Sequence, residues 1–186
     1  AHALQTVLDE PARNMLVWSR QVKSGDADNL EARAAAFYWR NLFISLPGFV
    51  REREESAPNS LLNYGYAILR AIIARALVGC GLLPTLGIHH HNKYNAYCLA
   101  DDIMEPYRPY VDLLVVEICE EEGFPTELTK EIKARLLALP TLDVEIEGQR
   151  RPLMLAATQT ATSLLRCFAG EARRLAYPLL PCEPSD

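Results

Sequence analysis

Several familiar catalytic signatures are missing from this chain. It holds no Gly-x-Ser-x-Gly elbow, no phosphate-binding P-loop, no Gly-x-Gly-x-x-Gly and no His-Glu-x-x-His. Their absence argues against serine hydrolases, P-loop NTPases, dinucleotide-binding enzymes and zincin proteases. Cysteine pairs are also missing. Cys80, Cys98, Cys119, Cys167 and Cys182 include no Cys-x-x-Cys, and five thiols fit no complete disulfide framework. Reduced thiols in a cytosolic protein are the expectation. No secretory signal and no uninterrupted apolar span is visible. The run 67–83 carries Arg70 and Arg75 and is broken by Gly79, Gly81 and Pro84, so it falls short of the roughly 18 apolar residues that a span needs. It reads as a buried core helix, with no membrane partner. Positive charge is not in excess either. Nineteen Lys and Arg face 24 Asp and Glu, for a net charge of −5. That argues against a surface coated for nucleic acid, though a local basic groove is compatible with it. The sequence starts at Ala1 without Met, which suits either a fragment or a processed chain.

What is present is 49% hydrophobic over 186 residues, enough for one core and one domain, 1–186. Helical periodicity dominates, and the fold class is mainly α: a multi-helix lobe with one short β-hairpin near residues 142–153. Residues 12–23 form an amphipathic helix with Met15, Leu16, Trp18 and Val22 among its apolar positions. Asp28 or Asn29 caps a second helix running to about Ser45. The charged stretch 50–58 reads as a mobile loop. Asn59 caps a long helix from Ser60 to about Val78. A further helix covers roughly 97–121, with a kink or break at Pro106 and Pro109. A short helix begins at Thr126 and ends near Pro140. Leu142 to Glu147 alternates at period two, Gly148-Gln149 turns, and 150–153 returns. A last helix spans about 153–175, carrying Leu155, Leu164, Leu165 and Phe168, before an extended tail.

The chemistry concentrates in one place. Gly87-Ile88-His89-His90-His91-Asn92 is followed closely by Ala100-Asp101-Asp102-Ile103-Met104-Glu105-Pro106-Tyr107-Arg108-Pro109. On a helix, Glu105 shares a face with Asp101 or Asp102, and one loop His can close the site. Hard oxygen ligands with one imidazole suit Mn²⁺ or Mg²⁺ better than a thiolate zinc site. A solvated acidic face and a surface His loop would leave the same pattern. Glu31 sits in the first turn of a small-residue helix, where an acid complements the helix dipole or supplies a third ligand. Asn63, Tyr64 and Tyr66 have the chemistry to orient a phosphate or a base, or to make core and cap contacts. Arg108 would meet substrate phosphate or neutralise the acids. Arg33, Arg40, Arg70, Arg75 and Lys93 are candidates for a basic rim.

Taken in order, Glu31-Ala-x-Ala-x-x-x-Tyr38-Trp39, Asn63-Tyr64-Gly65-Tyr66, Gly87-Ile88-x-His90 and Asp102-x-Met104-Glu105-Pro106-x-Arg108-Pro109 resemble the CRISPR adaptation integrase, the Cas-one family. The likeness covers nearly the whole chain and is strongest to the type II branch. It implies a helical catalytic lobe that normally follows an N-terminal β-rich domain. That domain is used for homodimerisation and for contacts with the small partner called Cas-two, and nothing in this sequence resembles it. The likeness also implies that Glu31, His90 and Glu105 bind Mg²⁺ or Mn²⁺. Asp102 matches a further acidic position, and the triple His leaves His91 as an alternative to His90. The implied activity is metal-dependent cleavage of double-stranded DNA. With its partner, the family joins the 3′-hydroxyl ends of a captured fragment to a CRISPR repeat by transesterification, in the prokaryotic cytoplasm. Two rivals stand beside this reading: a catalytically inactive fragment serving as a DNA- or protein-binding scaffold module, and a helical phosphohydrolase of small molecules. The second would scatter its His residues, whereas the internal ones here form one run.

Overall fold

The computed structural model describes residues 1–8, 12–23, 25–52 and 57–180. Helices form at His2–Leu8 (α1), Arg13–Gln21 (α2), Leu30–Leu42 (α3), Asn59–Gly79 (α4), Cys98–Met104 (α5), Arg108–Glu122 (α6), Lys130–Leu137 (α7) and Leu153–Phe168 (α8). Strands form at Asp143–Ile146 (β1), Gln149–Pro152 (β2) and Pro178–Leu179 (β3). The mainly helical expectation holds.

The core is built around α4, which packs against α5, α6, α7 and α8. Leu61, Leu62, Leu69, Ile73 and Leu77 are fully buried along it, while Arg70 and Arg75 lie on its exposed side. By length and composition α4 would suffice to cross a membrane, but here it is the central helix of the core. Gly65 lets α6 come close. A Cβ at that position would lie 2.5 Å from Val111 Cγ1, so only glycine fits the crossing without a shift.

The predicted break at the prolines is real. α5 stops at Met104, Glu105–Tyr107 form one 3₁₀ turn, and α6 restarts at Arg108 with Pro109 in its first turn. Pro lacks the N–H that an uninterrupted helix needs. The hairpin is present too, with Val144 opposite Arg151 and Glu145 opposite Arg150. Glu147 and Gly148 both have positive φ, the requirement of a tight two-residue turn.

Other expectations need correction. α1 was not foreseen, although Ala3 and Leu4 are buried. α3 ends at Leu42 and is capped by neither Asp28 nor Asn29. Asn29 sits at φ 54° without a side-chain cap. Asp26 takes the role, accepting from the Leu30 and Glu31 amides at 2.8 Å each. α7 starts at Lys130, with Thr129 Oγ1 accepting from Ile132 N at 3.2 Å. Its cap, not Thr126, sets the start. α8 ends at Phe168, just ahead of Gly170 at φ 74°. Its core stripe is Leu153, Ala156, Ala157, Thr160, Ala161 and Leu164, whereas Leu155, Leu165 and Phe168 are exposed. The tail adds a third strand, since β3 pairs antiparallel with β1 and Tyr110 Oη donates to the Leu179 carbonyl at 2.8 Å.

Of the expected loop at 50–58, residues 53–56 lie outside the described residues. Val50–Glu52 are fastened by Asn59, which heads α4 without capping it by side chain. Asn59 donates to the Val50 carbonyl and accepts from the Glu52 amide, both at 3.2 Å. Cys80, Cys98, Cys119 and Cys167 are free thiols, Cys98 and Cys119 buried. Cys182 lies outside the described residues.

Candidate active site

The loop between α4 and α5 is organised by one carboxylate. Asp102 Oδ2 accepts from the Ile88 amide at 2.5 Å and the His89 amide at 2.9 Å. Asp102 Oδ1 accepts from the His90 amide at 3.1 Å and lies 2.5 Å from His90 Nδ1. Burial alone would raise the Asp102 pKa, but these bonds outweigh it and hold the carboxyl below its ordinary value. Gly87 is needed for the approach. A Cβ there would collide with the His90 carbonyl oxygen and lie 2.8 Å from Cys98 Cβ.

Of the three imidazoles, His90 is therefore the one with a fixed ring. A carboxylate on Nδ1 leaves Nε2 free, the arrangement that presents a histidine to a metal. His89 meets it edge to face at 5.4 Å, and His91 is exposed.

Glu105 stands at the proline break, its side chain half-exposed and paired with Arg108 Nη2 at 3.2 Å. Partial burial pushes its carboxyl up. Asp101 and Asp102 add to this, while Arg108 and His90 oppose it. Asp101 is buried and already engaged, accepting from Arg70 Nε and Asn95 Nδ2 at 2.7 Å each. The donor chemistry of His90 and Glu105 fits a hard divalent cation. Glu31 lies elsewhere: exposed on the first turn of α3, it borders a groove of about 430 Å³ with Met15, Leu16, Trp18 and Val22. Among the described residues, no three His, Cys, Asp or Glu side chains converge in a metal-holding group.

Beside Glu105 opens a cleft of about 600 Å³ whose lining includes Trp39, Arg51, Asn63, Tyr66, Arg70 and Arg108. Arg51 donates to Asn59 Oδ1 at 2.9 Å and Asn63 Oδ1 at 2.6 Å. The guanidinium carbons of Arg51 and Arg108 lie 5.6 and 5.1 Å from the Tyr66 ring centre, within cation–π range. Arg108 Nε is buried and has no hydrogen-bond partner among the described residues. Of the expected basic rim, only Arg70 joins this cleft. Arg33 stacks on Trp18 at 4.8 Å, and Lys93 lies over Tyr94 at 4.8 Å. Tyr64 packs against the core.

Behind the cleft lies a residue that sequence reasoning missed. Asp112 is 2% exposed and accepts from Tyr38 Oη at 2.6 Å and from Tyr66 Oη. Burial pushes its pKa up to about 6, although both phenols and the Arg108 and Arg51 charges oppose the rise. The same burial raises both phenols above the ordinary tyrosine value. A lone acid within Tyr110-Val111-Asp112-Leu113-Leu114-Val115-Val116 was the signal available. Arg51 was missed because it opens a stretch of alternating charge that reads as solvated.

The architecture recurs in a solved structure. A structure described as a casposase bound to integration product superposes with a TM-score of 0.72, covering 93% of this chain and 56% of that one at 20% identity, which speaks for the fold. The chain belongs to the Cas1 family. The family model described as CRISPR associated protein Cas1 matches residues 3–137. A CRISPR-associated endonuclease Cas1 of Neisseria meningitidis serogroup C (strain 8013) is 38% identical over 159 residues, which is 86% of this chain and 51% of that protein. A CRISPR-associated endonuclease Cas1 2 of Pyrobaculum aerophilum is 35% identical over 141 residues, 74% of this chain and 47% of that protein. The chain thus spans about half the length of the curated relatives it matches.

Proposed function

We propose that this chain is the single-domain, C-terminal catalytic lobe of a Cas1 integrase and DNA endonuclease of the type II branch. Its role would be to insert captured DNA fragments into a CRISPR array by transesterification at phosphodiester bonds, in the cytoplasm of a prokaryote. The observation that carries this reading is the Asp102-held His90 close enough to act on the Glu105 charge, with Glu105 paired to Arg108 of an arginine-lined cleft. Glu31, His90 and Glu105 are the residues that would hold Mg²⁺ or Mn²⁺. Bound there, the ion supplies Lewis-acid polarisation of the phosphoryl group and charge stabilisation for the attacking and leaving oxygens.

The chain's own residues do the rest. Asp102 fixes the His90 tautomer and ring orientation through Nδ1. Arg108, Arg51 and Arg70 offer charge-assisted hydrogen bonds to backbone phosphates. Asn63 orients Arg51, and Tyr66 carries the two stacked guanidiniums. Tyr64 plays a supporting part from the core, against which it packs. Double-stranded DNA is the substrate. A second copy of the protein is the first partner, and a Cas-two protein is the other, engaged through a region outside this chain. Glu105→Ala and His90→Ala, placed in a protein of the relatives' full length, should each abolish nuclease and strand-transfer activity. Retained activity in both would refute the assignment.

One observation favours a second reading, the inactive scaffold module: Glu31 stands apart from His90 and Glu105. A calorimetric Mn²⁺ titration separates the two. Saturable binding by this chain that disappears in Glu105→Ala supports a preformed site. No binding in either protein supports the scaffold reading.

A further inference from the structure

The cleft and α3 are both tied to one buried side chain, and the reading of the cleft as a nucleic-acid site makes that tie functional. We propose that Asp112 is a positioning residue, with its carboxylate fixing Tyr66 as the platform for Arg51 and Arg108 and fixing Tyr38 as the tether of α3. The proposal rests on the DNA reading above and adds the group that would set the cleft's geometry.

Three helices meet at this point. Asp112 comes from α6, one turn after Arg108. Tyr66 comes from α4, next to Gly65, over which Val111 of α6 packs. Tyr38 comes from α3. A buried carboxylate that accepts from two phenols leaves neither ring free to turn without breaking a bond to a charged acceptor. Tyr66 is in turn the ring over which both guanidiniums sit. Arg51 and Arg108 repel each other there, and Asp112 is the buried charge that attracts both. The tether reaches Glu31 along α3. Glu31 and Tyr38 are seven residues apart, so they share one stripe of the helix, about 10 Å apart along its axis. Beside Tyr38, Trp39 lines the cleft and meets the Tyr38 ring edge to face at 5.0 Å. A single indole therefore senses this junction.

Asp112→Asn keeps the shape but removes the charge. It also replaces one acceptor oxygen with a donor, so one buried phenol loses its acceptor. The test uses a Trp18→Phe background, which leaves Trp39 as the only indole. Two quantities are read on every variant: acrylamide quenching of Trp39, and affinity for a short double-stranded deoxyoligonucleotide. Asp112→Asn and Tyr66→Phe should each raise quenching about twofold and weaken the oligonucleotide about fivefold. The double variant should be no worse than either single one, because both act through the same ring. Tyr110→Phe, which removes a phenol from the same helix that bonds to the Leu179 carbonyl and not to Asp112, should lower the melting temperature and leave both readings unchanged. Wild-type quenching and affinity in Asp112→Asn would overturn the proposal, as would full additivity in the double variant. If the parent chain fails to bind the oligonucleotide while quenching responds as stated, the positioning role stands and the DNA reading of the cleft falls.

Discussion

The two walls that carry the proposed ligand residues are built differently. On one, the loop before α5 is bound to Asp102 by three backbone amides and an imidazole. Buried Cys98, Leu99, Ala100 and Ile103 anchor the helix that supplies it. On the other, α2 has no buried residue. Glu31 rides on an exposed helix start held by the Asp26 cap and by aromatic contacts such as Trp18 to Phe37. The first wall has its geometry prepaid by hydrogen bonds and core packing. The second is tied to α6 at its far end, where Tyr38 reaches Asp112 and Leu42 is buried. A site assembled from such halves has one rigid jaw and one adjustable jaw, which gives an order to the ways of breaking it.

The largest effect is expected at Asp102. Asp102→Ala strips the loop of its shared acceptor and should cost about 3 kcal/mol, since hydrogen bonds to a charged group are the strong ones. Urea unfolding reads the loss. Amide exchange at Ile88, His89 and His90 should speed up while amides of α3 stay as they were. Equal acceleration in α3 would show that the walls are not independent.

Next in size is a pH effect on the hub that ties α3 to the core. Asp112 has its pKa raised to about 6 from 3.8, so the folded state holds this proton more tightly than the unfolded one. Its stabilising contribution is complete below pH 3.8 and is lost as pH rises through about 6. Between pH 4 and pH 7, wild type should therefore lose on the order of 2–3 kcal/mol relative to Asp112→Asn. Parallel pH–stability curves for the two proteins would contradict the burial argument.

The contrast between the walls also separates what the sequence alone discloses from what only the fold brings together. Local signals were legible. The acid–proline segment announced the helix break that presents Glu105, and period-two alternation with Gly148 announced the hairpin. The run of His marked the loop, and the family likeness pointed to His90 with His91 as the alternative, but spacing alone did not say which ring would be held. That depended on Asp102 reaching back across the loop to accept from backbone amides, and a backbone donor has no sequence signature. Asp112 was hidden for a related reason. Its partners Tyr38 and Tyr66 lie 74 and 46 positions away, brought in by a helix crossing that a single glycine permits. α1 and β3 escaped because elements this short carry too few periodic positions, and their order comes from tertiary contact. Asn29 was mistaken for a cap because its residue type suits the role, yet Asp26 has the geometry.

Gly87→Ala should come third, at about 2 kcal/mol. The new methyl would meet the His90 carbonyl and the Cβ of buried Cys98, and neither is the loose end of a flexible side chain. The loop must then move off Asp102. A change in the His90 ring resonances by NMR, with Trp18 fluorescence unaltered, would confine the damage to the rigid jaw. Unchanged His90 resonances would mean that the loop has slack which the hydrogen bonds do not reveal.

The smallest effect is expected at the start of α3. Asp26→Ala removes the acceptor for the Leu30 and Glu31 amides and should cost about 1 kcal/mol, as loss of a helix cap does. The consequence for Glu31 matters more than the magnitude. Its own amide is one of the two bonds lost, so the carboxylate would ride on a frayed turn instead of a fixed one. Global stability would barely register this, but amide exchange at Leu30 and Glu31 should accelerate while Tyr38 and Trp39, two turns on and secured through Asp112, keep their protection. If protection falls along the whole of α3 instead, the helix is held from its N-terminus, and the adjustable jaw would be governed by its cap and not by the buried carboxylate at its far end.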